Sequence, residues 1–137
     1  TVPGTYEDLE QADLIVLVGS NLAWCHPVLH QRIAAAKQER PDLKVVNIDP
    51  RKTATSELAD IHLSIAPDGD IALFNGLLAH LADTGKLDLG YVQDHVTGCL
   101  DAVTAARASN PSDSGLNAQE LAEFYALWAN TPKVVTV

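Results

Sequence analysis

The sequence predicts an α/β fold, a doubly wound and mostly parallel sheet in three layers with helices on both faces, of the Rossmann-like kind. Three observations lead there. Two largely apolar runs, Leu14-Ile15-Val16-Leu17-Val18 and Val45-Val46-Asn47-Ile48, are short, rich in β-branched residues and closed by turn signals, as strands buried on both faces are. Each run ends in a polar loop that opens a helix. Strand and helix then alternate, which makes right-handed parallel crossovers the economical connection.

Taken in order, Tyr6 to Gln11 reads as a short helix or turn carrying acids, and Asp13 leads into the first strand at 14–18, closed by Gly19. Pro27 suits the first turn of a helix, where its missing N–H is not needed. Leu29, Ile33 and Ala36 mark one face of that helix, and Arg40-Pro41-Asp42 ends it. The second strand lies at 44–48, followed by one or two helical turns over 53–58. Ile61-His62-Leu63-Ser64-Ile65 alternates strictly and reads as a third, more exposed strand.

Pro67-Asp68-Gly69-Asp70 is a turn whose last residue can cap a helix over about 71–83. Ile71, Phe74, Leu78 and Leu81 share one face of that helix, with Leu73 and Leu77 beside it, and Thr84-Gly85 stops it. Further helices are predicted over 88–96 and 100–108. After a turn-rich break at 110–115, Asn117 and Glu120 form a capping-box signal, with Leu116 placed to staple onto Leu121. Leu121, Phe124, Tyr125 and Trp128 make a stripe that reads as core. Lys133 to Val137 reads as a last strand, and the helix-rich stretch 71–130 is longer than one crossover needs.

The bulk composition narrows the function. The 137 residues suit one domain, and 47% are hydrophobic, enough for a core. A formal net charge of -9 argues against a broad basic face for nucleic acid, so no such partner is expected. An anionic ligand is still compatible, because helix N-termini and backbone amides act locally. No apolar run approaches the roughly 20 residues that span a bilayer, so no membrane partner is expected. Cys25 and Cys99 have no metal-ligand spacing and read as reduced thiols of a cytoplasmic protein. A chain without Met that starts at Thr1 reads as a single excised domain, 1–137, of a longer protein.

In open α/β sheets ligands sit outside the carboxyl ends of the strands, so the loops after the first two strands should line one crevice. Gly19 permits a tight turn and close backbone approach, Ser20 and Asn21 carry short polar side chains, and a helix starts near Pro27. These features suit a diphosphate cradle. They also suit an ordinary strand-to-helix turn, since Gly-x-Gly-x-x-Gly is absent. Asp49 stands where an acid commonly accepts from a ribose, with Arg51 and Lys52 adding positive charge and Thr53 a hydroxyl. The alternative is a helix cap beside a solvated charge pair. Asp70 could accept from a guanine edge or a ribose, or simply cap its helix. His26 precedes a proline and orients the loop. Cys25 lies near a helix N-terminus but has no visible base partner, so no nucleophile is expected. No Ser-His-Asp set, paired carboxylates or metal-ligand spacing stands out, so no catalytic residue and no metal ligand is expected within this chain.

At these residues the chain resembles the molybdopterin oxidoreductases, whose large subunits bind bis(molybdopterin guanine dinucleotide). That family carries Gly-x-Asn-x-Ala-x-x-His-Pro after a strand, here Gly19, Asn21, Ala23, His26 and Pro27. About 25 residues further on, one βαβ step, it carries Asp-Pro-Arg-x-Thr, here Asp49, Pro50, Arg51 and Thr53. A stretch like Ala59-Asp60-Ile61-His62-Leu63-Ser64-Ile65 and a turn like Pro67-Asp68-Gly69-Asp70 follow, the latter without the family's usual Thr. The resemblance covers roughly residues 12–83. It implies that Gly19, Ser20 and Asn21 meet the pterin diphosphate, with Trp24, Cys25 and His26 in the same loop. It likewise implies that Asp49, Arg51 and Thr53, with Lys52 beside them, hold the guanosine, and that Asp68, Gly69 and Asp70 close over guanine or ribose.

The variant Ala23-Trp24-Cys25-His26-Pro27 is similar to the assimilatory nitrate reductases of bacteria. That implies a molybdenum enzyme reducing nitrate to nitrite, with a [4Fe–4S] centre in the parent protein but not in this segment. The implied partners are the remaining domains of the catalytic subunit and an electron-donor protein or domain. The isolated chain is expected to be inactive. Formate dehydrogenase is the alternative within the family. Outside it stands a non-catalytic nucleotide-binding domain like the central domain of thiamine-diphosphate enzymes, although Asn47 stands where that pattern has a second Asp.

Overall fold

Four strands form one sheet in the computed structural model, which describes residues 4–137. They are β1 (Leu14–Val18), β2 (Lys44–Ile48), β3 (Ile61–Leu63) and β4 (Val134–Thr136), in the order β3-β2-β1-β4. Every pairing is parallel, with Leu14 opposite both Lys44 and Val134, and Val46 opposite Ile61. The fold is therefore α/β with an all-parallel sheet. Strand order reverses at β1, with β2 and β3 on one side and β4 on the other, so the carboxyl end of β1 lies at a topological switch point.

By their contacts the residues fall into two compact units: the chain up to Ser64 with Asn130–Val137, and Ile65–Ala129. The sheet unit carries α1 (Tyr6–Gln11), α2 (Leu22–Cys25) and α3 (Pro27–Glu39). One core cluster joins Leu9 of α1, Leu22 of α2 and Ile33 and Ala36 of α3 to Ile15, Leu17 and Val45 of the sheet. Leu14, Val16, Val46 and Ile48 alternate with those strand residues and are also buried, so β1 and β2 have no solvated face, as their continuous apolar runs predict. Polar contacts brace the helices: Arg40 pairs with Asp13 at 2.9 Å, and Arg32 pairs with Glu10 and lies over the Tyr6 ring. Lys37 of α3 pairs with Asp60, whose Oδ2 also accepts from the Val45 N–H at 2.8 Å.

The second unit is helical, with α4 (Asp70–Asp83), α5 (Leu89–His95), α6 (Cys99–Ala108) and α7, which begins at Ala118 and runs to Asn130. Asn117 Oδ1 accepts from the Glu120 N–H at 3.0 Å while Glu120 returns a carboxylate to the Asn117 N–H at 2.9 Å, the capping box that the sequence signals. Phe74, Phe124 and Trp128 meet edge to face with centroids 6.0–6.5 Å apart.

Three expectations need correction. The buried residues of α4 are Ala72, Leu73, Gly76 and Leu77, whereas Ile71 is 69% exposed. The face turns because Tyr125 seats against Gly76, where an added Cβ would lie 2.1 Å from its Oη, and donates to the Leu73 carbonyl at 2.9 Å. A glycine adds nothing to a hydrophobic count, so periodicity favours the neighbouring stripe. Asp70 is the first helical residue and Gly69 the N-cap. The third strand ends at Leu63, and the Ala66 N–H instead donates to the Ser114 carbonyl at 2.8 Å. Among the described residues no helix is long and apolar enough to cross a membrane.

Candidate functional site

The parallel register sets Val18 beside Ile48, and the Gly19 N–H donates to the Ile48 carbonyl at 2.8 Å. The loops after β1 and β2 therefore leave the sheet side by side. Gly19 has φ +59, and a Cβ built there would meet nothing within 4 Å. The left-handed backbone favours glycine, and the adjoining space is open.

The first loop reaches a helix sooner than the sequence suggests. Asn21 is the N-cap of α2 and makes no side-chain cap bond, so its amide is not tied to the helix. Among the described residues no backbone acceptor meets the N–H groups of Ser20, Asn21 and Leu22. The Trp24 and Cys25 N–H groups turn back to the Asn21 carbonyl, and the Ala23 N–H donates to Thr55 Oγ1 at 3.1 Å. That last bond ties the first loop to the 3-10 turn Ala54–Leu58 that follows the second. Trp24, Cys25 and His26 are exposed, and His26 both ends α2 and caps α3, with Pro27 at the first helical position.

In the second loop Asp49 is buried, its N–H donates to the Leu63 carbonyl at 3.2 Å, and its Oδ1 accepts from the Arg51 N–H at 2.7 Å. The carboxylate thus shapes the turn at one oxygen. Arg51 and Lys52 are exposed. The Thr53 N–H donates to Ser56 Oγ at 3.0 Å, and the buried Thr53 Oγ1 faces the Ser56 N–H in a capping-box arrangement without a full hydrogen bond to any described residue. Next to this loop stands His62, whose burial pushes its pKa below the ordinary histidine value. The Lys52 ammonium acts the same way, and the Asp49 carboxylate opposes them.

Asp68, Gly69 and Asp70 belong to the helical unit. Asp68 adopts φ +63, and both acids are exposed. Gly69 is demanded by packing, since a Cβ would lie 2.9 Å from the Ala66 oxygen and from the Ser114 backbone. Sequence reading passed over Asn47, Thr55, Ser56 and His62. The available signal was Asn47 itself, a polar residue inside an apolar strand run.

Amides at a helix start and a buried hydroxyl that meet no full hydrogen-bond partner among the described residues, with a buried carboxylate as acceptor, are the donors and acceptor that a phosphorylated sugar needs. The buried Thr53 hydroxyl, which makes a capping contact but no full hydrogen bond among the described residues, and the open space at Gly19 fit a dinucleotide. Fold and edge together define an open, parallel α/β sheet of the class that takes ligands at a switch point. Residues 3–106 match the model of the molybdopterin oxidoreductases, and the chain belongs to that family. It is 48% identical to a nitrate reductase of Shewanella frigidimarina over 98% of this chain and 15% of that protein. It is 44% identical to a nitrate reductase of Klebsiella oxytoca over 99% of this chain and 16% of that protein. Acetylene hydratase from Pelobacter acetylenicus shares the fold, with a TM-score of 0.78 at 21% identity over 96% of this chain and 18% of its own. The chain thus spans about 15% of the length of the nitrate reductases it matches. Family membership sets aside the thiamine-diphosphate alternative.

Proposed function

We propose that this chain is the cofactor-binding domain of a molybdenum-dependent assimilatory nitrate reductase, and that it holds the dinucleotide part of bis(molybdopterin guanine dinucleotide). The observation that carries the reading is the adjacency of the two loops, bonded through Gly19 and Ile48 and again through Ala23 and Thr55. The amides of Ser20, Asn21 and Leu22, which meet no backbone acceptor among the described residues, receive the diphosphate, with Trp24, Cys25 and His26 forming the rest of that loop. Asp49 accepts from the ribose hydroxyls, the Thr53 hydroxyl donates to the ligand, and Arg51 and Lys52 balance phosphate charge. For Asp68, Gly69 and Asp70, which belong to the helical unit, a role at guanine or ribose rests on the family resemblance alone. The bound cofactor supplies the two-electron oxygen-atom transfer at molybdenum that turns nitrate into nitrite, and this chain binds and orients it.

The nitrate reductases among its relatives favour nitrate over formate as substrate. The other domains of the catalytic subunit, a [4Fe–4S] centre carried there, and an electron-donor protein or domain complete the enzyme in the cytoplasm. The isolated chain has no activity of its own.

An amide NMR titration of this chain with GDP, with ADP and thiamine diphosphate as controls, tests the reading. GDP-selective shifts at Gly19–Cys25, Asp49–Thr53 and Asp68–Asp70 are expected. Equal shifts with all three ligands, or none at millimolar GDP, would refute a guanine-dinucleotide site.

A further inference from the structure

Asn47 breaks the apolar run of β2 and is fully buried. Its Nδ2 donates to Ser56 Oγ at 3.3 Å and lies 3.4 Å from Nδ1 of His62, its register partner on β3. Ser56 Oγ also accepts from the Thr53 N–H, and the Ser56 N–H returns to the Thr53 carbonyl at 2.9 Å. One residue away, Thr55 Oγ1 holds the Ala23 N–H of the first loop. A chain of contacts therefore runs from β3 through Asn47 to the 3-10 turn 54–58, and from that turn to both loops.

The amide is a poor choice for stability alone. Its Oδ1 is buried without a partner among the described residues, an unfavourable state that an aliphatic side chain at this strand position would avoid. A polar residue kept at that disadvantage, with its donor end aimed at the turn between two loops, is explained by what it holds in place.

We propose that Asn47 is a positioning residue of the nucleotide site, and that its contacts with Ser56 and His62 set the 3-10 turn and so hold the two strand-end loops in their ligand-binding geometry. The proposal rests on the nucleotide reading above. It requires His62 to be neutral with its proton on Nε2, where Ser64 Oγ stands at 3.4 Å, so that Nδ1 offers a lone pair to Asn47. The burial and the Lys52 charge that disfavour the imidazolium act in the same direction.

The test compares this chain with its Asn47→Leu variant, and with Asn47→Val, which has less volume and high strand propensity, in case the first does not fold. Amide hydrogen exchange reads the loops without ligand. Thr53 and Ala23 are expected to exchange about tenfold faster in the variants, the effect of one lost hydrogen bond, while Val16 and Val46 stay protected. Ring ¹⁵N shifts are expected to show the Nε2–H tautomer of His62 in the wild type and a mixture of tautomers in the variants. GDP affinity is expected to fall about tenfold alongside. Unchanged protection at Thr53 and Ala23 in a folded variant, or an unchanged His62 tautomer, would overturn the proposal. Absence of GDP shifts in the wild type would instead defeat the nucleotide reading, leaving exchange and tautomer to judge the hold of Asn47 on the loops.

Discussion

The two units bury polar groups in different ways. In the sheet unit, Asn47, Asp49 and Thr55 are buried, and all three stand at the carboxyl end of β2 or in the turn beyond it. In the helical unit the buried hydroxyls of Ser114 and Tyr125 are bonded: Ser114 Oγ donates to the Pro111 carbonyl at 2.6 Å and accepts from the Leu116 N–H at 3.4 Å, and Tyr125 Oη donates to the Leu73 carbonyl at 2.9 Å. Among the described residues, the buried side-chain atoms that lack a full hydrogen bond, His30 Nε2, Asn47 Oδ1 and Thr53 Oγ1, belong to the sheet unit. The helical unit relies on rings packed edge to face and on a glycine that admits a tyrosine. One region is built for packing. The other holds buried polar side chains at the carboxyl end of β2 and in the turn beyond it.

The largest expected effect attacks the packed region. Phe124 is fully buried and touches both Phe74 and Trp128, so Phe124→Ala should lower stability by about 3–5 kcal/mol, read from the urea midpoint. A loss below about 1 kcal/mol would break the contrast, because rings would then not be what holds the helical unit.

Thr55→Val tests the polar edge. The change keeps the shape and removes the acceptor of the Ala23 N–H, so stability should fall by about 1 kcal/mol. Amide exchange at Ala23 should rise while that at Val46 does not. Uniform loosening of the sheet would show that Thr55 serves the core rather than the loops.

The smallest effects lie at the extremes of pH and separate the two units again. Burial raises the Asp60 carboxyl, but the Lys37 ammonium and the Val45 N–H outweigh it, leaving the pKa below its ordinary 3.8. A carboxyl lowered in the fold stabilises above its unfolded value and loses that contribution as pH falls through the folded one. Protection of the Val45 amide, its exchange compared with the intrinsic rate at the same pH, should therefore fall below about pH 4. Tyr125 goes the other way: burial pushes its phenol up from 10.0 to about 12. Its neutral form stabilises fully below pH 10 and loses that contribution as pH rises through about 12. Tyrosinate absorbance should include one late step that Tyr125→Phe removes, and a titration complete by about pH 11 would contradict the burial.

The strands that carry the loops were readable because both of their faces are buried and their runs are continuous, a pattern visible within five residues. The α7 cap was readable for a similar reason, since Asn117 and Glu120 lie within one turn of each other. The turn α2 was not. Leu-Ala-Trp-Cys is too short to show a period, and its placement depends on the Ala23 bond to Thr55, 32 residues away. The packed face of α4 was misread for the same kind of reason, because Tyr125 fixes it from 52 residues along the chain.

By itself, then, the sequence determined the strand–helix alternation, the strand-end positions of Gly19–Asn21 and Asp49–Thr53, and a resemblance specific enough to point to the family. Backbone conformation, burial period and capping are local preferences, written in residues a few positions apart. Tertiary structure alone decided that the β1 and β2 loops are bonded to each other, that Gly69 and Gly76 answer to close backbone and side-chain approach, and that Asn47 reaches the 3-10 turn Ala54–Leu58. Those outcomes depend on which distant groups meet in the packed chain, where a misplaced methyl or an unpaired amide is felt directly.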